Sequence, residues 1–259
     1  MANAKKDMPK VWGFPKDTFL PTVHHLCPGC GEPIASRVVA EVLQEMGLKE
    51  QAILVIGIGC HTSVAGSLNI DHVGALHGRA PSVATGVKRC LPGNFVFTIQ
   101  GDGDMVSEGI QEAIHCGARG EKITLIMLNN TVFGETGGHM TATTLLGQRT
   151  KDTMNGRDPD LHGKPIRMAE LMGHLDGVVY SARGAVHTPG DIMKTRKLVK
   201  SAFEAQLQGK GLSFVEILTM CPTGWFMEPW EAPKYVEDNM VKFFTLGEFK
   251  VPEAAAAKA

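Results

Sequence analysis

The sequence NFVFTIQGDGD, residues 94–104, decides the fold. Residues 94–100 are largely aromatic and β-branched, which predicts a strand buried on both faces of a parallel sheet. This strand runs directly into Gly101-Asp102-Gly103-Asp104. In a parallel sheet, polar residues that follow a strand lie at its carboxyl end, where ligands bind. The stretch therefore predicts both an α/β fold and a binding site at one edge of the sheet.

The same order of strand, turn and helix recurs on both sides of this stretch. Apolar runs predict three further buried strands, at residues 52–58, 123–128 and 213–219. Apolar residues at helical spacing predict four helices, at residues 32–46, 80–89, 107–118 and 192–208. This alternation predicts an α/β fold in which helices flank a parallel sheet. Residues 134–165, named the covering segment here, are too long to be a structureless loop and predict a functional cover.

Composition predicts a folded protein without affinity for nucleic acid or membranes. The 259 residues are 43% hydrophobic and 20% charged, and the net charge is -1. No block of like charge would attract a polyanion or an anionic membrane surface. The first 17 residues lack the apolar stretch of a signal peptide, and the apolar runs are too short to span a bilayer. We expect a cytoplasmic protein with an arm at residues 1–20, one domain at residues 21–250 and a frayed tail at residues 251–259.

Two polar strand ends predict a magnesium site for a diphosphate group. Asp102 offers a hard oxygen ligand of the kind that Mg²⁺ prefers. Asn130 follows one helix–strand crossover later, so it should return to the mouth of the adjacent strand. Each half alone is also typical of an ordinary turn or loop cap. Their pairing favours one shared ion.

The cysteines predict a metal centre. Cys27-Pro28-Gly29-Cys30 places two thiols close together, and Cys60 and Cys221 follow predicted strands. Zinc or an iron–sulfur cluster would satisfy such a four-thiolate shell. The two remaining cysteines, Cys90 and Cys116, are expected to be buried small apolar residues.

The Gly-Asp-Gly and Asn-Asn pair resembles the thiamine-diphosphate fingerprint. The resemblance implies that Asp102, Asn130 and the backbone carbonyl of Val132 coordinate Mg²⁺ on the cofactor. Together with this fingerprint, four further motifs resemble the β subunit of 2-oxoacid:ferredoxin oxidoreductases. These motifs are Cys27-Pro28-Gly29-Cys30-Gly31-Glu32, Gly57-Ile58-Gly59-Cys60, Thr136-Gly137-Gly138 and Cys221-Pro222-Thr223-Gly224-Trp225. The similarity covers about residues 20–250.

This resemblance implies a thiamine-diphosphate-binding fold, the pyrophosphate-binding module. It also implies a role for individual residues of the site. Cys27, Cys30, Cys60 and Cys221 would hold a 4Fe–4S cluster. Thiamine contacts would come from Glu32, Cys60, His61, Gly101, Asp102, Gly103, Asp104, Asn130, Val132, Phe133, Gly134, Glu135 and Thr136.

The implied activity is oxidative decarboxylation of a 2-oxoacid to acyl-CoA and CO₂, with electrons passing through the cluster to ferredoxin. The motifs Thr143-Thr144-Leu145-Leu146-Gly147-Gln148 and Gly156-Arg157-Asp158-Pro159 resemble the branched-chain, 2-oxoisovalerate type, and a 2-oxoglutarate enzyme looks similar. The implied partners are an α subunit that supplies the aminopyrimidine glutamate, γ and δ (ferredoxin-like) subunits or fused equivalents, ferredoxin and coenzyme A. This chain alone should be inactive.

Three side chains are candidates for catalysis. His77 and His139 lie in or beside glycine turns, where an imidazole can carry a proton. Arg79 can pair with a 2-oxoacid carboxylate. Each of them is also explained as a structural loop residue. Two other functions stay open: a non-oxidative thiamine decarboxylase or synthase with structural zinc, and a non-catalytic zinc-stabilised scaffold.

Overall fold

The structure is a computed structural model that describes residues 17–20 and 24–252. The predicted arm, residues 1–20, lies outside the described residues except for residues 17–20. The predicted tail, residues 251–259, lies outside them beyond residue 252. Among the helices of the described part, none combines the length and apolar character that a membrane crossing requires.

A mostly parallel sheet forms the centre of the fold. Its strands, in spatial order, are β2 (Asp71–Gly74), β1 (Ala52–Ile56), β3 (Phe95–Gly101), β4 (Thr124–Asn129), β8 (Leu212–Leu218), β7 (Val178–Ala185) and β9 (Gly247–Lys250). Within the described residues β9 alone is antiparallel to its neighbour in this sheet. A separate hairpin pairs β5 (Val132–Phe133) with β6 (His139–Met140).

Helices cover both faces of the sheet. They are α1 (Glu32–Glu45), α2 (Ala80–Cys90), α3 (Ile110–Arg119), α4 (Pro159–His162), α5 (Met168–Gly173), α6 (Pro189–Leu207), α7 (Ala232–Tyr235) and α8 (Val241–Phe243). Helices α1 and α6 pack on the face that carries Phe97, and α2, α3 and α5 pack on the opposite face with Val96. Alternate side chains of β3 enter two different cores, so the strand is buried on both faces and is largely apolar. This explains the continuous apolar run in the sequence.

The predicted elements are confirmed with small shifts at their ends. Helix α3 begins at Ile110 and not at residue 107, because Gly103–Ser107 forms a single π-helical turn. Helix α6 begins at Pro189, three residues earlier than predicted, since Thr188 accepts a hydrogen bond from the Asp191 amide and caps it. The prediction that Cys90 is buried is wrong: it is exposed at the end of α2, whereas Cys116 is buried.

The covering segment is ordered around one arginine. The side chain of Arg157, which is 5% exposed, donates hydrogen bonds to backbone carbonyl oxygens. Its acceptors are Thr141, Ala142, Thr144, His162 and Gly163. Five carbonyls bound by one guanidinium give this stretch a fixed path although it contains little helix or strand. The prediction that it is not a structureless loop is confirmed.

Candidate cofactor site

The predicted cofactor residues meet in one pocket at the carboxyl ends of β1, β3 and β4. Every residue to which the sequence resemblance assigns a thiamine contact lines this pocket, and Ile58, Gly59 and His77 complete its wall. The parallel register explains the meeting, because Gly101 of β3 lies opposite Leu128 of β4. Each strand therefore delivers the polar residues that follow it to the same edge.

Asp102 and Asn130 lie side by side at this edge. The Asn130 amide N–H donates to Asp102 Oδ1 at 3.3 Å, and the Val132 amide donates to Asn130 Oδ1 at 3.1 Å. The hydroxyls of Thr141 and Thr143 donate to Asp102 Oδ2. Burial raises the pKa of Asp102 to about 6, although these donors act against the rise. A buried carboxylate beside an amide oxygen is a donor set that suits Mg²⁺.

Glu32 closes the pocket next to this pair. It is 2% exposed, and its Oε1 accepts a hydrogen bond from Asn130 Nδ2 at 3.3 Å. Its Oε2 is buried and finds no hydrogen-bond partner among the residues that the structure describes. Burial raises the pKa of Glu32 to about 8, with further contributions from Asp102 and Glu135. An unpartnered buried carboxyl oxygen in a pocket fits a ligand that brings a donor.

Asp104 holds His77 in the pocket wall and lies near His61, whose Nε2 is 4.0 Å from Asp104 Oδ2. Its Oδ1 lies 2.8 Å from His77 Nδ1 and accepts from the Gly78 amide at 2.7 Å, while Gln100 Nε2 donates to Oδ2 at 2.8 Å. His77 remains one-third exposed toward the pocket. A ring whose Nδ1 is held by a carboxylate can present Nε2 to a substrate. His61 differs, because burial lowers its pKa to about 4, so it is neutral near pH 7.

Two predicted catalytic residues are not brought into the pocket. The guanidinium of Arg79 forms an ion pair with Glu112 and does not line the pocket. His139 lies on β6, and its Nδ1 is 3.6 Å from Asp152. Of the three predicted catalytic side chains, only His77 reaches the cofactor residues.

The cysteine loops meet at the same pocket. A Cβ atom placed on Gly134 would lie 3.2 Å from Cys221 Sγ, 3.5 Å from Cys60 Sγ and 3.7 Å from Asn130 Nδ2. A glycine there leaves open the space among two thiols and the amide. The Gly31 amide donates to the Met220 carbonyl at 3.0 Å and brings the loop of Cys27 and Cys30 against that of Cys221.

Burial and a nearby carboxylate disfavour the thiolate form of three of these cysteines. Burial raises the pKa values of Cys60 and Cys221 to about 12, and the carboxylate of Glu32 contributes to both. Burial also raises the pKa of Cys30. Metal ligation requires thiolates, so bound cations would have to offset this environment. Iron ions of a cluster would supply that charge.

Over residues 17–20 and 24–252, no three His, Cys, Asp or Glu side chains are arranged to hold a metal ion. The predicted magnesium set contains one side chain of these types, Asp102, with an amide and a backbone carbonyl. In a 4Fe–4S cluster each cysteine binds a different iron. The four thiols therefore surround the cluster and do not converge on one ion.

Trp225 joins the cysteine loop to the predicted magnesium loop, a link that sequence reasoning missed. Its indole N–H donates to the Asn130 carbonyl oxygen at 2.8 Å. The only signal in the sequence was its position four residues after Cys221.

Known proteins similar to this chain include thiamine pyrophosphate enzymes and oxidoreductase subunits. Residues 57–217 match the family model of the thiamine pyrophosphate enzyme C-terminal TPP-binding domain. The ketoisovalerate oxidoreductase subunit VorA of Methanothermobacter thermautotrophicus is 38% identical over 89% of this chain and 48% of its own length. The 2-oxoglutarate synthase subunit KorB of Archaeoglobus fulgidus is 32% identical over 85% of this chain and 77% of its own.

A solved structure has the same fold. The 2-oxoglutarate:ferredoxin oxidoreductase from Magnetococcus marinus superimposes with a TM-score of 0.74 at 22% identity, over 99% of this chain and 90% of that chain. The chain spans about half the length of the Methanothermobacter relative.

Proposed function

We propose, from the premise that this chain belongs to the thiamine pyrophosphate enzymes of the 2-oxoacid:ferredoxin oxidoreductase family, that it binds thiamine diphosphate and an iron–sulfur cluster. The proposed reaction is the oxidative decarboxylation of a 2-oxoacid to acyl-CoA and CO₂, with electrons leaving through the cluster to ferredoxin. The observation that carries the proposal is the meeting of two thiols and the Asn130 amide around Gly134.

Bound thiamine diphosphate supplies the electron sink for decarboxylation, and a cluster supplies one-electron acceptors. For its part, the chain would hold Mg²⁺ with Asp102, Asn130 and the Val132 carbonyl. Cys27, Cys30, Cys60 and Cys221 would hold the cluster. His77, oriented by Asp104, would transfer a proton at Nε2.

We propose a branched-chain 2-oxoacid such as 2-oxoisovalerate as the substrate. The higher identity to the ketoisovalerate oxidoreductase subunit supports this choice over 2-oxoglutarate. The proposed partners are an α subunit that supplies the aminopyrimidine glutamate, γ and δ (ferredoxin-like) subunits or fused equivalents, and ferredoxin. Both relatives are named as subunits, which supports a heteromer.

The test is to purify the chain with its partner subunits without oxygen and to measure viologen reduction by several 2-oxoacids. We expect reduction that depends on coenzyme A and is fastest with 2-oxoisovalerate. Faster reduction with 2-oxoglutarate would change the proposed substrate and leave the proposed reaction unchanged.

The visible spectrum separates the oxidative function from its alternative. A brown protein with iron and acid-labile sulfide supports the proposal. A colourless protein that contains zinc and releases an aldehyde would favour the non-oxidative decarboxylase.

A further inference from the structure

A buried ion pair lies behind the predicted magnesium loop, away from the pocket wall. Glu216 of β8 and Arg183 of β7 are both 0% exposed, and Arg183 Nε lies 2.8 Å from Glu216 Oε2. Strand β8 is otherwise made largely of apolar residues that face the two cores. Placing two charges in such a sheet has a large desolvation cost. The contacts of these two residues indicate a role beyond packing.

The second carboxylate oxygen of Glu216, Oε1, connects the ion pair to the predicted magnesium loop. Asn129 Nδ2 donates to Glu216 Oε1 at 2.7 Å, and this bond fixes which way the Asn129 amide points. Asn129 Oδ1 then faces the loop and accepts a hydrogen bond from the Thr131 amide at 3.0 Å. An unbroken series of contacts thus runs from Arg183 through Glu216 and Asn129 to Thr131.

Thr131 is the residue that needs such support. Its φ is 63°, a left-handed conformation that is strained for a β-branched side chain. It stands between Asn130 and Val132, the two predicted magnesium ligands of this loop. A change in its backbone conformation would therefore move both ligands.

We infer that Glu216, held in place by Arg183, is a positioning residue for the magnesium loop: it orients Asn129, and Asn129 holds Thr131 in the conformation that sets Asn130 and Val132. This inference rests on the proposed thiamine-diphosphate site. The covering segment also holds Thr131, since Gln148 Nε2 donates to its hydroxyl at 2.8 Å and the Thr144 hydroxyl donates to its carbonyl. Loss of the Glu216 contact should therefore weaken cofactor binding without abolishing it.

Two double variants separate positioning from packing. R183M/E216Q and R183M/E216L both remove the two buried charges together, and both leave the partly exposed Glu170, which also pairs with Arg183, without that partner. They differ at the group that faces Asn129: glutamine keeps an amide oxygen as an acceptor, and leucine has none. The readouts are the affinities for Mg²⁺ and thiamine diphosphate and the unfolding temperature without cofactor, measured on the full chain in complex with its partner subunits.

We expect R183M/E216Q to bind both ligands nearly as well as wild type. R183M/E216L should bind Mg²⁺ and thiamine diphosphate about 10-fold to 100-fold more weakly, as for other residues that orient ligands from behind. Equal affinities in the two variants would overturn the inference. If the wild-type complex fails to bind thiamine diphosphate at all, the proposed function itself is overturned.

Asn129→Ala provides a second test that leaves the ion pair in place. It removes the link between Glu216 and Thr131, so the same loss of affinity is expected. If R183M/E216L does not fold, wild-type affinity in Asn129→Ala would overturn the inference by itself.

Discussion

Trp225 donates its indole N–H to the carbonyl oxygen of Asn130 at 2.8 Å, so one hydrogen bond joins the loop of Cys221 to the loop of Asn130. Trp225 is 7% exposed, and its ring packs 4.6 Å from that of Tyr235. The bond is therefore shielded from water and set by rigid aromatic packing. Two cofactors bound at these loops would have their separation fixed in part by this contact.

Trp225→Phe should weaken this coupling, because phenylalanine retains an aromatic ring but has no donor. The Asn130 carbonyl keeps one donor, the Thr131 hydroxyl, so we expect a loss of about 1 kcal/mol in the free energy of unfolding. Thiamine-diphosphate affinity should also fall. Titration calorimetry and urea unfolding measure the two effects. Wild-type affinity in Trp225→Phe would show that the two loops are positioned independently.

Serine substitutions of the four predicted cluster cysteines should remove iron. Changing Cys27, Cys30, Cys60 or Cys221 exchanges a thiolate for a poor iron ligand, and each variant should lose visible absorbance and iron content. Cys90→Ser and Cys116→Ser provide matched controls, because these two cysteines lie on α2 and α3. A loss of iron in the controls equal to that in the four variants would contradict the assignment.

Asp102→Ala should abolish magnesium-dependent retention of thiamine diphosphate while iron content is unchanged. The reason is that alanine removes the carboxylate ligand but leaves the cysteine loops intact. Asp152→Ala is the control, since Asp152 lies in the covering segment and does not line the pocket. Cofactor retention after gel filtration is the measurement. Loss of iron together with the cofactor would mean that the loop serves the cluster.

The strand ends of this site were predicted well from the sequence, because the pattern that marks them lies within a few neighbouring residues. Strands β3 and β4 are buried on both faces and run directly into polar residues, so pattern and position agree. Strand β7 was not predicted because Arg183 interrupts its apolar run, and β2 was not predicted because all four of its residues are exposed. Pattern reasoning depends on burial that follows side-chain polarity: β7 breaks that rule with the buried Arg183, and β2 lacks the apolar run that would mark a strand.

The contacts that set the site were beyond prediction from sequence. Asn129 and Glu216 are 87 residues apart in the chain, and nothing in either motif indicates that their side chains meet. Arg79 shows the opposite error. It stands two residues from His77, but its side chain turns away to Glu112. Proximity in sequence predicted a shared site that the backbone path does not provide.

His77→Asn should lower the turnover rate about 100-fold, as expected for loss of a proton-transfer group. Asparagine keeps a polar group near Asp104 but cannot exchange a proton. His139→Asn is the matched control, because His139 lies outside the pocket lining. Viologen reduction at saturating 2-oxoacid measures the rate. Equal rates for wild type and His77→Asn would exclude a catalytic role for this histidine.

The raised pKa of Glu32 predicts how the free energy of unfolding depends on pH in the cofactor-free protein. Burial raises its pKa from the ordinary 4.5 to about 8, so between these values the folded chain keeps a proton that the unfolded chain has lost. The free energy of unfolding should therefore fall as pH rises through this window. His61 acts in the opposite direction up to pH 6.5, since its pKa is lowered to about 4. Between pH 6.5 and 8 the effect of Glu32 is separate from that of His61.

Glu32→Gln should remove this decline, because an amide does not ionise but retains an oxygen for Asn130. Urea unfolding at several pH values from 6.5 to 8 gives the slope. Glu50→Gln is the control, since its side chain is 87% exposed and should leave the slope unchanged. Mg²⁺ with thiamine diphosphate should also flatten the wild-type slope, because a cation beside Asp102 favours ionised carboxylates. An equal slope in wild type and Glu32→Gln would show that another buried group causes the decline.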